Sequence, residues 1–308
     1  MKKKRRVLIC LIILVLAAAA VLSSQLIHRA RLIGAVKVEE QLKKAEEPLR
    51  RQQEELRIIA ERKAEEREIA SHVYSHRGTE GFYEHSFKAY DEAISAGSQN
   101  IEQDIVISSD GELFVSHDLN AWSMTGVDAP YSSMSAEEID GLTTRAGYKV
   151  LRLSEVFDRY GKDVNYIIEL KTSDDETVSA FESIVDKYGF EDNITVQSAD
   201  TDVLRILEKQ YPNMPKLFVC KGLQAFYDSL DMPYVDIVSV SIDRGLMTES
   251  NCEAAHDHGK LFSAWSLSME SSIRAAIDMN VDTYFTNDTP LAISLEREYG
   301  LEVRAHNK

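Results

Sequence analysis

The stretch ITVQSADTDVLRILEKQYPNMPKLFVCKGLQAFYDSL, residues 194–230, decides the fold. A short β-branched run (194–198) is followed by an amphipathic segment (200–210). A second run, KLFVC (216–220), is followed by another helical segment (223–230). Short apolar runs bounded by turn residues fit strands, and the longer segments between them fit helices. Alternation of this kind belongs to an α/β fold with a parallel sheet. The same texture extends both ways from Ser71 onward. Further strands read at HVYSH (72–76), a hairpin (100–117), VNYIIEL (164–170), VDIVSV (235–240), KLFSAW (260–265) and DTYFTN (282–287). Helical segments fall near 84–97, 135–159, 175–188, 248–258, 269–279 and 290–299. In the first of them Phe87, Tyr90 and Ile94 share a face and Gly97 supplies a stop. With the hairpin counted as one arm, eight strand–helix units predict a closed (β/α)8 TIM-type barrel with a hairpin at its second strand. An open doubly wound sheet is the alternative, and no Gly-rich dinucleotide or phosphate-loop signature supports it.

Ahead of the barrel the chain changes character. KKKRR precedes the apolar run VLICLIILVLAAAAVL, which extends with three interruptions to Ile27. Such a run reaches across a bilayer core of roughly 30 Å at about 1.5 Å per residue. Residues 1–28 are therefore expected to be a basic cytoplasmic tip and a transmembrane anchor, with a cleaved signal peptide as the alternative. The expected location is the cell membrane, single-pass, with an extracytoplasmic domain. Residues 29–70 read as a charged helical stalk, since Leu42, Ala45, Leu49, Gln52, Leu56 and Ile59 follow a 3-4 spacing too briefly for a coiled coil and Pro48 interrupts it. Residues 71–308 are the expected globular domain. Cys220 and Cys252, the two cysteines beyond the anchor, are no disulfide framework, though one bridge stays open. Residues 1–70 hold 16 Lys/Arg against 10 Asp/Glu, and residues 71–308 hold 19 against 41. So acidic a body argues against a nucleic-acid partner and is compatible with a cation in a carboxylate site.

Within IEQDIVISSDGELFVSHD (101–118), Glu102 and Asp104 are two apart and share a strand face. Asp110-Gly111 is a two-residue turn signal. With that turn, Asp104 would lie opposite His117, and two carboxylates and an imidazole would converge at a cost unless a cation sits among them. Catalytic groups of a barrel stand where its strands end. Here the ends read His76-Arg77, Glu102/Asp104, Glu169/Lys171, Gln197, Lys221, Ser241, Trp265 and Asn287/Asp288.

Over about residues 71–290 these motifs resemble the glycerophosphodiester phosphodiesterase family. SHRG (75–78) resembles the family's opening HRG. IEQD with the following DG and HD resembles its central signature, IELK (168–171) its E-I-K element, and Trp265 with FTNDTP its closing strands. One departure stands out: YEHS (83–86) replaces the usual P-E-N-T, so His85 occupies the place of Asn and Glu84 is kept. The segment 119–154 falls where the family carries a variable insertion.

On their own chemistry, Glu102, Asp104 and Glu169 form an all-oxygen donor set suited to Ca2+ or Mg2+. His76 and His117 suit a general acid–base pair, the alternative for each being a loop-tying imidazole. Arg77 and Lys171 suit phosphate, or otherwise balance the carboxylates. Trp265 suits stacking on the substrate or closing a core layer. Lys221 is a candidate second phosphate or diol contact, and Glu84 a candidate metal or hydroxyl contact. His72, His85, His256 and His258 are read as structural. The resemblance implies metal-dependent hydrolysis of a small glycerophosphodiester to glycerol 3-phosphate and an alcohol. Two alternatives stand beside it: a phospholipase D-type enzyme on lysolipid or sphingolipid, disfavoured by the lack of an evident apolar loop, and a non-catalytic binding module.

Overall fold

Eight parallel strands pair edge to edge, and the first, Val73–Ser75, pairs both with Asn100–Ile107 and with the last, Thr283–Thr286, which closes the barrel. The computed structural model describes Glu47, residues 73–81 and residues 83–301. The strands are β1 Val73–Ser75, β2 Asn100–Ile107, β3 Leu113–Val115, β4 Asn165–Leu170, β5 Ile194–Ser198, β6 Lys216–Cys220, β7 Ile237–Ser241, β8 Leu261–Trp265 and β9 Thr283–Thr286. β3 is the antiparallel arm of the hairpin and stands outside the closed ring.

Strand–helix alternation puts the helices outside. The principal core lies between sheet and helices, where Ile168 and Leu170 of β4, Val196 of β5 and Val238 and Val240 of β7 meet Phe181, Leu204, Leu207 and Phe226 of the helices. The barrel interior is filled by a smaller layer of Tyr74, Ile167, Leu217, Ile237 and Phe285. Residues two further along these strands therefore face inward at the carboxyl-terminal mouth. In β4, Ile167 is interior core and Glu169 is the mouth position above it.

The helix expected over 135–159 is two helices, Ala136–Asp140 and Leu153–Tyr160, with Gly141 ending the first. Between β3 and the second of these the chain builds a small lobe with its own core of Phe114, Ala121, Met124, Tyr131, Met134 and Ile139. Cys220 and Cys252 are buried thiols not joined by a disulfide. The expected cell-membrane location is corrected: among the described residues no helix is long and apolar enough to cross a membrane. The segment 1–28 and all of 29–70 except Glu47 lie outside the described residues.

Candidate active site

The site is assembled from strand ends that register places side by side. Asp104 of β2 pairs with Glu169 of β4, and Glu169 in turn with Gln197 of β5. Residues in register on adjacent strands point to the same side, so these three side chains share the mouth. Glu102 lies one inward position below Asp104.

The turn after β1 brings the first cations. Arg77 adopts a left-handed backbone (φ 57°), and Gly78 follows at φ 106°. A Cβ on Gly78 would lie 2.5 Å from the Ala89 Cβ, so a side chain there would collide with the helix Phe87–Ala96. Held in this way, the Arg77 backbone N–H donates to Glu102 Oε2 at 2.9 Å, while Gln197 Nε2 donates to Glu102 Oε1 at 3.0 Å. The Arg77 guanidinium donates to Glu84 Oε2 (2.8 Å) and lies 3.4 Å from Asp104 Oδ2. Lys171 Nζ contacts Asp104 Oδ1 at 2.6 Å and Glu169 Oε1 at 2.9 Å. Glu84, Arg77, Asp104, Lys171 and Glu169 thus alternate in charge across the mouth.

The proton affinities show where charge is in excess. Burial raises the Glu102 carboxyl well above its usual range, and neighbouring Asp104 adds to this. Glu169 is pushed up to about 7, again by burial first and then by Asp104. Asp104 goes the other way: burial opposes ionisation, but the His85 hydrogen bond, Lys171 and Arg77 outweigh it and hold the carboxyl well below the ordinary value. The buried Glu102 and the partly buried Glu169 are therefore left short of positive charge although both local cations are engaged. A hard divalent cation suits this donor set, because it would supply the missing charge to oxygen ligands. The residues fit such an ion.

His85, read as structural from the sequence, is a central member of the site. Its Nε2 lies 3.0 Å from Asp104 Oδ2 and its Nδ1 2.9 Å from the Tyr90 hydroxyl. His85, Glu102 and Asp104 offer donor atoms all within 4.8 Å of one another. The residue is left-handed (φ 56°), a conformation that Asn and His both tolerate better than most side chains. Burial lowers the His85 pKa, so the neutral ring donates to Asp104 while accepting from Tyr90.

His76 stands at the end of β1 with Nδ1 2.6 Å from Asn287 Oδ1 and 3.3 Å from Ser266 Oγ. An amide oxygen only accepts, so Nδ1 carries the ring proton and Nε2 keeps its lone pair. Burial and Arg77 lower the His76 pKa to about 4. The ring is neutral at neutral pH. His117 is half-exposed at the rim, with Nδ1 2.8 Å from Asp118 Oδ1.

The hairpin between them differs from expectation. Ile105 pairs with Val115 and Ile107 with Leu113, so Asp104 faces Ser116, whose N–H donates to the Asp104 carbonyl at 3.0 Å. The turn is a three-residue loop, Ser109–Gly111, closed by the Ser108 N–H donating to the Glu112 carbonyl, with Gly111 at φ 89°. Asp110 is drawn out of a two-residue turn by its own partners: its carboxylate accepts from the Ser108 hydroxyl (2.6 Å) and from the Ala136 N–H of the lobe (2.9 Å). His117 accordingly sits one residue beyond the position opposite Asp104. It is near enough to Glu84 to contribute, behind Arg77 and His85, to lowering that carboxyl against the effect of burial.

Trp265 ends β8 half-buried against the interior layer, its peptide bond to Ser266 cis. Lys221 follows β6 and is exposed; among the described residues it makes no ion pair with the carboxylates. Gln197, Asn287 and Ser266 join the site without having been assigned a role from sequence. The first two did stand at strand ends, which was the available signal.

A family model described as the Glycerophosphoryl diester phosphodiesterase family matches residues 76–291. A glycerophosphodiester phosphodiesterase of Bacillus subtilis is 24% identical over 252 residues, covering 73% of this chain and 86% of the relative. A protein of Rattus norvegicus named lysophospholipase D is 25% identical over 202 residues, covering 58% of this chain and 62% of the relative. Among solved structures, an Oleispira antarctica phosphodiesterase in complex with the product sn-glycerol-3-phosphate superposes with a TM-score of 0.66. It is 18% identical, and the match covers 74% of this chain and 97% of that one.

Proposed function

The chain belongs to the glycerophosphoryl diester phosphodiesterase family, and on that premise we propose that it hydrolyses glycerophosphodiesters to glycerol 3-phosphate and an alcohol at the barrel mouth. The observation that carries this reading is the neutral, Asn287-oriented His76 beside a buried, charge-deficient carboxylate cluster.

Glu102, Asp104 and Glu169 would hold a divalent cation, Ca2+ or Mg2+, with His85 setting the orientation of Asp104. When bound, such an ion would neutralise phosphate oxygens and stabilise charge developing on them. The chain's own groups do the rest. Arg77, tethered through its backbone to Glu102, presents its guanidinium to a phosphate, and Lys171 offers a point charge on the other side. The His76 Nε2 lone pair accepts a proton from the attacking oxygen, which is that of water or of the substrate's own vicinal hydroxyl; in the second case water then opens the cyclic phosphate to glycerol 3-phosphate. A new P–O bond forms as the bond to the alcohol breaks. His117, oriented through Nδ1 by Asp118, supplies the proton that the departing oxygen takes up. Trp265 offers an apolar wall for the glycerol carbons, and Lys221 and Glu84 lie at the rim for hydroxyl or phosphate contacts.

The test is to incubate the full chain with glycerophosphodiesters, with and without chelator. Turnover should vanish in excess chelator and return with Ca2+ or Mg2+. Full turnover in chelator would remove the cation from the reading, and no turnover under any condition would remove the hydrolase.

A second reading, cleavage at the same bond of a lysolipid, has one observation in its favour. The sequence suggested no apolar loop, yet Leu119 and Val127 of the lobe are 51% and 40% exposed. Lysophosphatidylcholine beside glycerophosphocholine in the same assay separates the two.

A further inference from the structure

At position 85 this chain has His where the family pattern has Asn. The exchange brings a ring nitrogen to a cluster otherwise made of carboxylate oxygens. His85, Glu102 and Asp104 are each 2% exposed or less, and each offers a donor atom within 4.8 Å of the other two. His85 Nε2 stands 3.0 Å from Asp104 Oδ2. That separation suits a hydrogen bond. It equally suits two neighbouring ligands of one octahedral ion, since bonds of about 2.1 Å at right angles put their donor atoms about 3.0 Å apart. Lys171 engages the other oxygen of Asp104, Oδ1, at 2.6 Å, and the Arg77 Nε is farther from Oδ2, at 3.4 Å.

To act as a ligand, Nε2 must present a lone pair, so the ring proton must sit on Nδ1 and the Tyr90 hydroxyl must accept it. Nδ1 is 2.9 Å from that hydroxyl. The hydroxyl then needs an acceptor for its own proton, and the core holds one. Gln103 is fully buried and reaches the Tyr90 hydroxyl, and neither atom of its amide is committed to another hydrogen-bond partner. His85, Tyr90 and Gln103 therefore form a chain with two settings. In one, Tyr90 donates to Nδ1 and Nε2–H donates to Asp104. In the other, Nδ1–H donates to Tyr90, Tyr90 donates to Gln103 Oε1, and the Nε2 lone pair stands beside Asp104 Oδ2.

We infer that this chain builds a mixed nitrogen–oxygen cation site, with His85 Nε2, Glu102 and Asp104 as ligands, which takes a first-row transition ion such as Mn2+ or Co2+ in preference to Ca2+ or Mg2+. Imidazole suits the first pair better than the second, which prefers oxygen throughout. With Ca2+ or Mg2+ the ring keeps its hydrogen bond to Asp104 and only orients it. The inference rests on the proposed cation site and needs no step of the reaction.

The experiment uses the full chain, stripped of ions by chelator and then titrated with Co2+ alone or Ca2+ alone. In the Co2+-loaded parent chain, the Nδ1 proton of a ligating His85 should give an exchangeable resonance carried far out of the normal range by the paramagnetic ion. It should vanish in D2O and be absent from His85→Asn. By calorimetry, His85→Asn should lose at least tenfold more affinity for Co2+ than for Ca2+. Gln103→Leu, which removes the acceptor at the far end of the chain and touches no ligand, should shift the two affinities in the same unequal sense. Lack of the shifted resonance in the parent chain, or equal losses for the two ions in either variant, would overturn the inference. If neither ion binds the parent chain, the cation site itself fails with it, which calorimetry distinguishes from binding without the nitrogen. Should His85→Asn not fold, the parent resonance and Gln103→Leu still decide.

Discussion

At the scale of single residues, the acid–base roles rest on how two imidazoles are held. His76 is neutral and fixed by Asn287, whereas His117 is half-exposed and bound to Asp118. His76→Ala and His117→Ala should each lower turnover by about 100-fold or more, the usual scale for positioned acid–base groups. The double variant should lose less than the product, because the two act on one proton inventory. Steady-state kinetics on glycerophosphocholine reads this, and a His117→Ala enzyme of near-parental rate would end its assignment. His85 acts at one remove, through Asp104. His85→Ala should weaken Ca2+ or Mg2+ binding by roughly 10–100-fold, the range for removing a partner that orients a ligand. His85→Asn, which tolerates the same left-handed backbone, should recover part of that. Cation affinity by titration calorimetry is the measurement, and equal affinity in parent and His85→Ala would show that Asp104 needs no such support.

At the scale of elements, the hairpin shows how far local sequence reaches. Its existence and both strands were legible, because Asp-Gly between alternating apolar residues is a strong local signal. The register was not, because Asp110 takes partners from Ser108 and from Ala136, 26 residues away. One residue of slip moves every side chain to the other face, which is why His117 is not opposite Asp104. Gly111 remains the residue on which the turn depends. Nothing lies within 4 Å of a Cβ placed there, so Gly111→Val meets no collision and the cost is the left-handed backbone alone. That cost should be about 1–2 kcal/mol, seen as a lower urea midpoint at unchanged slope. An unchanged midpoint would mean that the loop adopts a different turn. The helix expected over 135–159 failed for a related reason: its apolar residues serve two cores, Ile139 the lobe and Val156 and Phe157 the barrel.

At the scale of the whole molecule, buried carboxyls set a pH dependence. Glu296, on the helix Thr289–Glu298, is buried with its carboxyl 3.2 Å from the Tyr284 hydroxyl, and burial pushes it up to about 7. Its folded pKa thus exceeds its unfolded one near 4.5. The stability it contributes is fully present below about pH 4.5 and is lost as pH rises through about 7. Relative to Glu296→Gln, the parent chain should therefore lose on the order of 3 kcal/mol between those limits. Denaturant melts of both proteins at pH 4.5 and 7.5 measure it, and parallel pH profiles would refute it. Glu102 and Glu169 shift in the same direction, so only the difference between the two proteins isolates Glu296.

By itself the sequence determined the strand–helix alternation, the closed eight-fold count, and the strand-end placement of His76, Arg77, Glu169 and Lys171, whereas Glu102 and Asp104 lie within β2. Those follow from periods of 2 and 3.6 residues and from short motifs, which are properties of neighbouring positions. Only the tertiary structure decided that Asn287 orients His76 across 211 residues, that Gln197 holds Glu102 across 95, and that His85 belongs to the site. The physical reason is closure: a barrel brings its first and last strands into register, and no local pattern records which side chains then meet.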